Sequence, residues 1–285
     1  MVIFHDPRCL EYCAPGHPER PERISRTVPW LKERHSTWEW REPHVATPEQ
    51  LLRAHSSEHI ARVRNPRGDF DVDTPAYANI YEHALRSAGA GINVSRAALK
   101  GECSFALMRP PGHHSTREHA MGFCYFSNIA IAAFDAAENG AERVAIWDFD
   151  AHHGNGTEAI VANNDRIRFA SIHQFPAYPG TGAKSFANIE NYPLAPGTPR
   201  KEVVEVCRRA LDNLIAFKPN LVLVSAGFDA YARDPLVQMT LETDDFGTFG
   251  GWLREIDIPV GAILEGGYSD DLPELIDAFL TAWDG

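Results

Sequence analysis

Six runs of this chain, Met1–His5, Cys103–Leu107, Arg143–Phe149, Arg166–His173, Asn220–Ala226 and Pro259–Glu265, are almost wholly apolar and are bounded by Gly, Pro or Asn. A strand with one face in water alternates apolar and polar residues, so a run without alternation belongs in a sheet buried on both faces. Parallel strands meet that condition, because the connection between two of them carries a helix back across a face. Helix-period patterns do lie between the runs, at Pro21–His35, Thr47–Ala54, Ala76–Leu99, Asn128–Asn139, Lys201–Phe217, Thr243–Glu255 and Leu272–Trp283, several with Asp, Ser or Thr near the start as an N-cap. The fold class is therefore α/β, with a central, mostly parallel sheet flanked by helices. With 285 residues and no repeat, Ser/Gly linker or shift in composition, one domain over residues 1–285 is the simpler reading.

Several classes of function are excluded early. The 27 Lys and Arg against 39 Asp and Glu give a net charge of −12, and no basic block is present to grip a phosphate backbone, so nucleic acid is not an expected partner. No apolar stretch approaches the roughly 18 residues of a membrane span. Residues 1–10 lack the basic flank and long apolar run of a secretory signal, which makes the cytoplasm the expected compartment. The five cysteines are odd in number and lack CxxC spacing, against both a disulfide framework and a thiolate metal site. No GxGxxG or GxxxxGK[ST] motif supports nucleotide binding. What remains unusual is 13 histidines, with doublets at His113-His114 and His152-His153.

Ligands of open α/β sheets bind beyond the carboxyl ends of the strands. Here Asp148, Asp150 and His152 follow one strand, His173 ends another, Asp229 follows a third and Gly266-Gly267-Tyr268 a fourth. In an extended segment, positions 148, 150 and 152 project to one side, and two carboxylates leaving an apolar strand need a countercharge. Carboxylate with imidazole suits a divalent cation. A lone Asp-x-His would be better read as a capped loop. A second doublet in Arg109-Pro110-Pro111-Gly112-His113-His114, on a turn made rigid by proline, argues for a site.

Seven ordered motifs, HPERPERI (17–24), RPPGHH (109–114), GFCYFSN (122–128), DFDAHHGNG (148–156), PGTG (179–182), SAGFDA (225–230) and LEGGYS (264–269), closely resemble the histone deacetylase family within the arginase/deacetylase superfamily. The resemblance spans nearly the whole chain. It implies a hydrolase of linear amide bonds whose metal, zinc, is held by Asp150, His152 and Asp229, with iron(II) an open alternative in the cell. Gly154 and Tyr231 stand where two-metal relatives place extra carboxylates, which implies a single-metal site.

The same resemblance distributes the chemistry. His114 matches the general base and acid, with Asn155 as its partner, and His113 matches the neighbouring electrostatic histidine, oriented by Asp148. Asn at 155 is the class II-like choice and leaves His114 less basic than Asp would. Tyr268 matches the hydroxyl that stabilises the tetrahedral intermediate. Phe123 and Tyr178, with Gly122 and Gly267 beside them, match the walls of an acyl-lysine slot; taken alone they would be core aromatics. Asp148 with the backbone of Ser171 and Ile172 matches a structural potassium site. Arg23 resembles an arginine of an internal cavity, and Asp73 a rim residue that grips substrate amides. His153 and His173 are expected to line or brace the site; the other histidines are expected at the surface, in caps or in the core.

The implied substrate is an acyl-lysine protein or peptide, or a small acylated amine. Only 13 residues separate His59 from Asp73, too few for the long insertion typical of bacterial acetylpolyamine enzymes, and Leu236 stands where the polyamine-selective relative has a gatekeeper Glu. Acetylpolyamine hydrolysis and a noncatalytic acyl-lysine binding module remain the alternatives; acyl-chain preference and oligomeric state stay open.

Overall fold

A computed structural model describes residues 1–285. Eight strands, β1 (Val2–Phe4), β2 (Glu39–Arg41), β3 (Ser104–Ala106), β4 (Val144–Asp148), β5 (Ile167–Gln174), β6 (Ile189–Leu194), β7 (Leu221–Ala226) and β8 (Val260–Leu264), form one sheet in the order β2-β1-β3-β8-β7-β4-β5-β6. Every neighbouring pair is parallel. All six apolar runs are strands, and the inner strands β3, β4, β7 and β8 are buried at every residue.

The two strands absent from the sequence reading are the edges. The strand β2 is three partly exposed residues, Glu-Trp-Arg, and β6 contains Pro193, which an edge tolerates because no further strand needs its missing N–H.

The helices are α1 (Glu22–Ser25), α2 (Thr27–Arg34), α3 (Pro48–Leu51), α4 (Ser57–Arg64), α5 (Ile80–Ala98), α6 (Asn128–Glu138), α7 (Asn155–Val161), α8 (Arg200–Ala216), α9 (Thr243–Glu255) and α10 (Leu272–Asp284). The expected helix Pro21–His35 is interrupted at Arg26, and Thr47–Ala54 shrinks to one turn closed by a Thr47/Gln50 capping box. The expected helix Ala76–Leu99 begins only at Ile80, after Asn79 in the left-handed region. Two helices, α4 and α7, were not anticipated: α4 is amphipathic and capped by Ser56, whereas α7 starts inside the motif assigned to chemistry.

A continuous cluster of 78 buried apolar residues runs through the molecule, which makes the fold one domain. The long helix α5 packs on β3, β7, β8 and α6, while α8 packs on β4, β5 and β6. Trp147 of β4 meets Phe249 and Trp252 of α9, and Phe149 meets Phe279 of α10. Because all strands are parallel, their carboxyl ends share one edge, and the loops after β3, β4, β7 and β8 converge there.

Candidate active site

The segment Asp148–His152 leaves β4 with both of its carboxylates caught by backbone. Asp150 N–H donates to Asp148 Oδ1 at 3.1 Å, His152 N–H to Asp150 Oδ1 at 2.9 Å, Ala151 N–H to Asp229 Oδ1 at 2.8 Å and Gly266 N–H to Asp150 Oδ2 at 2.7 Å. His152 Nδ1 then sits 2.8 Å from Asp229 Oδ2 and 3.3 Å from Asp150 Oδ1. Ligand atoms of Asp150, His152 and Asp229 all lie within 4.8 Å of one another, and the two carboxylates are wholly buried.

Burial, and then Asp150 beside it, raises the Asp229 pKa; at Asp150 burial is outweighed by His113 and His152, and its pKa is lowered. Two buried carboxylates sharing one imidazole form a donor set that a divalent cation fits, because their like charges demand a countercharge there. A Cβ on Gly154 would lie 2.3 Å from Asp148 Oδ2, which leaves no room for a longer side chain at that position.

The histidine doublet follows β3. Gly156 and Thr157, whose N–H groups have no partner inside α7, both donate to His113 O at 3.0 Å. From behind, Gly112 and His113 N–H donate to Glu265 Oε2 at 2.7 and 3.1 Å. The two rings lie 4.0 Å apart. His113 Nδ1–H donates to Asp148 Oδ2 at 3.1 Å and His114 Nδ1–H to Asn155 Oδ1 at 2.8 Å, so Nε2 of His114 is left to accept a proton. Burial opposes charge on His113, yet Asp150 and Asp148 outweigh it and raise its pKa to about 10. Burial, helped by His113 and His152, drives the pKa of His114 well below the usual imidazole value.

Above these groups a cavity of about 220 Å³ is lined by Asp73, His114, Gly122, Phe123, His152, Tyr178, Leu236 and Tyr268. Tyr178 stands edge-on to His114, with ring centroids 5.1 Å apart, and Phe123 stands edge-on to Tyr268 at 5.8 Å. The Tyr178 hydroxyl is buried without a hydrogen-bond partner in the protein. Gly122 adopts a φ of +56°, and a Cβ there would come 2.5 Å from His114 Cδ2, so only glycine brings the backbone this close to the ring.

Leu236, at 41% exposure, marks the mouth, and half-buried Asp73 stands beside it with a pKa raised by burial and by Asp71. Gly267 lies at a φ of +120° just before Tyr268. Arg23 is buried under that segment, its guanidinium 5.0 Å from the Tyr268 ring centroid. Ser171 faces Asp148 across the β4/β5 ladder and Ile172 follows it; both are buried. His153 and His173 pack together behind the site with rings 4.6 Å apart, tied to Thr181, Glu158 and Gly182.

Around the site, three buried acids were given no role from the sequence: Glu265 behind the doublet, Asp234 beneath the mouth, and Glu19, which is ion-paired with wholly buried Arg109. The one available signal was a Glu closing an otherwise apolar run at 259–265.

A parallel α/β domain with a buried Asp-His-Asp group beside paired imidazoles, at the strand ends and under a narrow cavity, defines the class of metal-dependent hydrolases. Residues 17–282 match the model of the histone deacetylase domain. The chain is 36% identical to a probable deacetylase of Methanothermobacter thermautotrophicus, over 100% of this chain and 91% of that protein. It is 37% identical to a histone deacetylase-like amidohydrolase of Pseudomonas aeruginosa, over 90% of this chain and 74% of that protein. Among solved structures, an acetylpolyamine aminohydrolase of Burkholderia pseudomallei superposes with a TM-score of 0.91 at 26% identity, covering 100% of this chain and 99% of that one. The chain belongs to the histone deacetylase family, metal-dependent hydrolases of amide bonds in acetylated substrates. No helix is long and apolar enough to cross a membrane.

Proposed function

We propose that this protein is a zinc-dependent amidohydrolase that removes acetyl or other acyl groups from lysine Nε in proteins or peptides. The observation that carries the reading is the cavity itself. Its walls, Phe123 and Tyr178, leave a narrow apolar passage for a methylene chain, and its floor presents His114, His152 and Tyr268 together. Asp150, His152 and Asp229 would hold the ion, which when bound polarises an acyl carbonyl and acidifies a water. The segment of Asp148, Ser171 and Ile172 would hold a structural potassium.

The chain's own groups then divide the labour. His114, kept neutral by burial, takes a proton from the attacking water at Nε2 and delivers it to the leaving amine as the C–N bond breaks and the carboxylic acid forms, whose remaining proton passes to the released amine or to solvent. His113, hydrogen-bonded to Asp148, has its pKa raised by Asp150 and Asp148 and would supply positive charge as negative charge develops. The Tyr268 hydroxyl donates to the acyl oxygen, and Gly122 and Gly267 shape the passage around it. Asp73 meets the substrate's amides at the rim, and Leu236 gates the entrance.

Acetylpolyamine hydrolysis is the second reading, favoured by the close superposition on an enzyme of that name. Steady-state kinetics with an acetyl-lysine peptide, longer acyl-lysine peptides and acetylspermidine, on metal-reconstituted protein with Asp229→Ala as control, separate the two. A strong preference for acetylspermidine overturns the lysine reading. Turnover that survives in the metal-depleted Asp229→Ala protein overturns the metal-dependent one. Binding of acyl-lysine with no turnover, unchanged in Tyr268→Phe, would mark a noncatalytic binding module.

A further inference from the structure

After Asp229 the chain turns beneath the cavity mouth, and Asp234, with its N–H donated to Tyr231 O at 2.9 Å, is 7% exposed. Its carboxylate has no Arg, Lys or His within ion-pair distance; the adjacent Arg233 turns instead to Glu242 and Asp271. Both carboxylate oxygens are spent on backbone. Oδ1 accepts Leu236 N–H at 3.0 Å, and Oδ2 accepts Tyr268 N–H at 2.7 Å across 34 positions of sequence. A buried acid without a countercharge is a costly way to close a turn that Ser or Asn closes as well. What only the carboxylate supplies is two charge-assisted acceptors aimed at two different loops.

The second of those bonds falls on a sensitive peptide group. Gly267 O and Tyr268 N are the two ends of the peptide unit that aims the Tyr268 side chain. Arg23 Nε donates to Gly267 O at 2.7 Å, and Asp234 receives the N–H at the other end. Gly267, at a φ of +120°, occupies a region where the backbone has little steric reason to stay in one orientation. The direction of this peptide, and with it of the phenol, is therefore set by what grips its two ends.

We propose that Asp234 is a positioning residue that clamps the 267–268 peptide against Arg23, and so aims the Tyr268 hydroxyl at the acyl oxygen, while anchoring the rim at Leu236 with the same carboxylate. The proposal rests on the catalytic role given to Tyr268 above. It makes the rim and the oxyanion donor share one support, so loss of the carboxylate is felt in kcat more than in KM for a short acetyl-lysine substrate.

The test is a double-mutant cycle with a structural readout. Asp234→Asn, of the same shape, keeps one acceptor and turns an amide toward the other N–H; we expect kcat to fall about tenfold, as for one lost charge-assisted hydrogen bond, with KM within about twofold. In a Tyr268→Phe background the same change should cost less than about twofold, because the group it positions is gone. An equal loss in both backgrounds overturns the proposal, since Asp234 would then act on the fold at large. Thermal melting of each variant reports folding. Should the Asn variant not fold, Asp234→Ser retains an acceptor for the nearby Leu236 N–H but is too short for Tyr268.

Incorporation of 3-fluorotyrosine gives a readout that does not depend on turnover. Of the eight tyrosines, the resonance missing from Tyr268→Phe belongs to Tyr268. It should shift or broaden in Asp234→Asn while the others hold, and an unchanged resonance overturns the proposal. A wild-type protein inactive on every acylated amine would sink the hydrolase reading and leave this resonance to decide the role of Asp234.

Discussion

His55 offers a sharp test of how the loop behind the catalytic doublet is held. It is completely buried, its Nδ1–H donates to Thr116 O at 2.9 Å, and its Nε2 accepts Ser127 N–H at 2.9 Å. Since Nε2 faces a donor, a proton there would break the second bond. Burial, and then His59 nearby, lower the His55 pKa to about 3 from 6.5. Below pH 6.5 the unfolded chain binds a proton that the folded protein refuses, so stability falls as pH falls, down to about pH 3. That displacement corresponds to roughly 3–5 kcal/mol in full, of which about 2 kcal/mol is lost between pH 7 and pH 5. In His55→Gln the side chain can still accept from Ser127 N–H but does not titrate. Urea unfolding of both proteins at pH 7 and pH 5 isolates the one group, because the other buried histidines are common to both. The wild type should lose about 2 kcal/mol more than the variant over this interval, though the variant starts lower for want of the bond to Thr116. Equal losses, within about 0.5 kcal/mol, would show that His55 titrates normally and that the buried-network reasoning is wrong.

Glu19 pairs with Arg109, receiving Nη2 at 2.9 Å, and lies 3.4 Å from Arg23 Nη1, so Glu19→Ala strands two buried guanidinium groups. A loss of about 3–5 kcal/mol in denaturant unfolding is expected, and one below about 1 kcal/mol contradicts it. Gly122→Ala places a methyl against His114 at a positive φ; about 1–3 kcal/mol of stability should go, with kcat falling more than metal content, as measured by unfolding, kinetics and metal analysis. Asn155→Asp sets a carboxylate against His114 Nδ1–H, raising the pKa of that ring. Because the neutral ring is the proton acceptor, the acid limb of the kcat/KM profile should move upward by about one pH unit, and a profile that stays put refutes the assignment.

The parallel sheet was legible because its inner strands are buried on both faces and carry no alternation, and all six runs so read are strands. Edge strands escape that logic: Glu39–Arg41 faces solvent and Ile189–Leu194 carries a proline, so neither has the composition of a buried strand. Positions 148, 150 and 152 announced a site through local spacing taken together with the second doublet at His113-His114. The roles of Asp234, Glu265 and Glu19 were not legible, although Glu19 and Glu265 lie inside the 17–24 and 264–269 motifs, because each is defined by a partner 34, 153 or 90 positions away that only the fold supplies.

The doublet shows why those distant acids matter to the chemistry. Two imidazoles in adjacent positions, 4.0 Å apart and buried alike, would titrate as near equals if their surroundings were equal, and neither could then serve reliably as acid or base. The fold separates them by partner. His113 is given Asp148 on Nδ1, with Asp150 3.8 Å from Nε2, and its pKa is raised; His114 is given the neutral Asn155, and burial with His113 and His152 nearby lowers its pKa. Glu265, through the backbone of Gly112 and His113, and α7, through His113 O, keep the two rings from exchanging surroundings. The pKa of one ring is therefore pushed up and that of the other down, a division that follows from Asp148 against Asn155, both on the segment that leaves β4 and each one hydrogen bond from its ring.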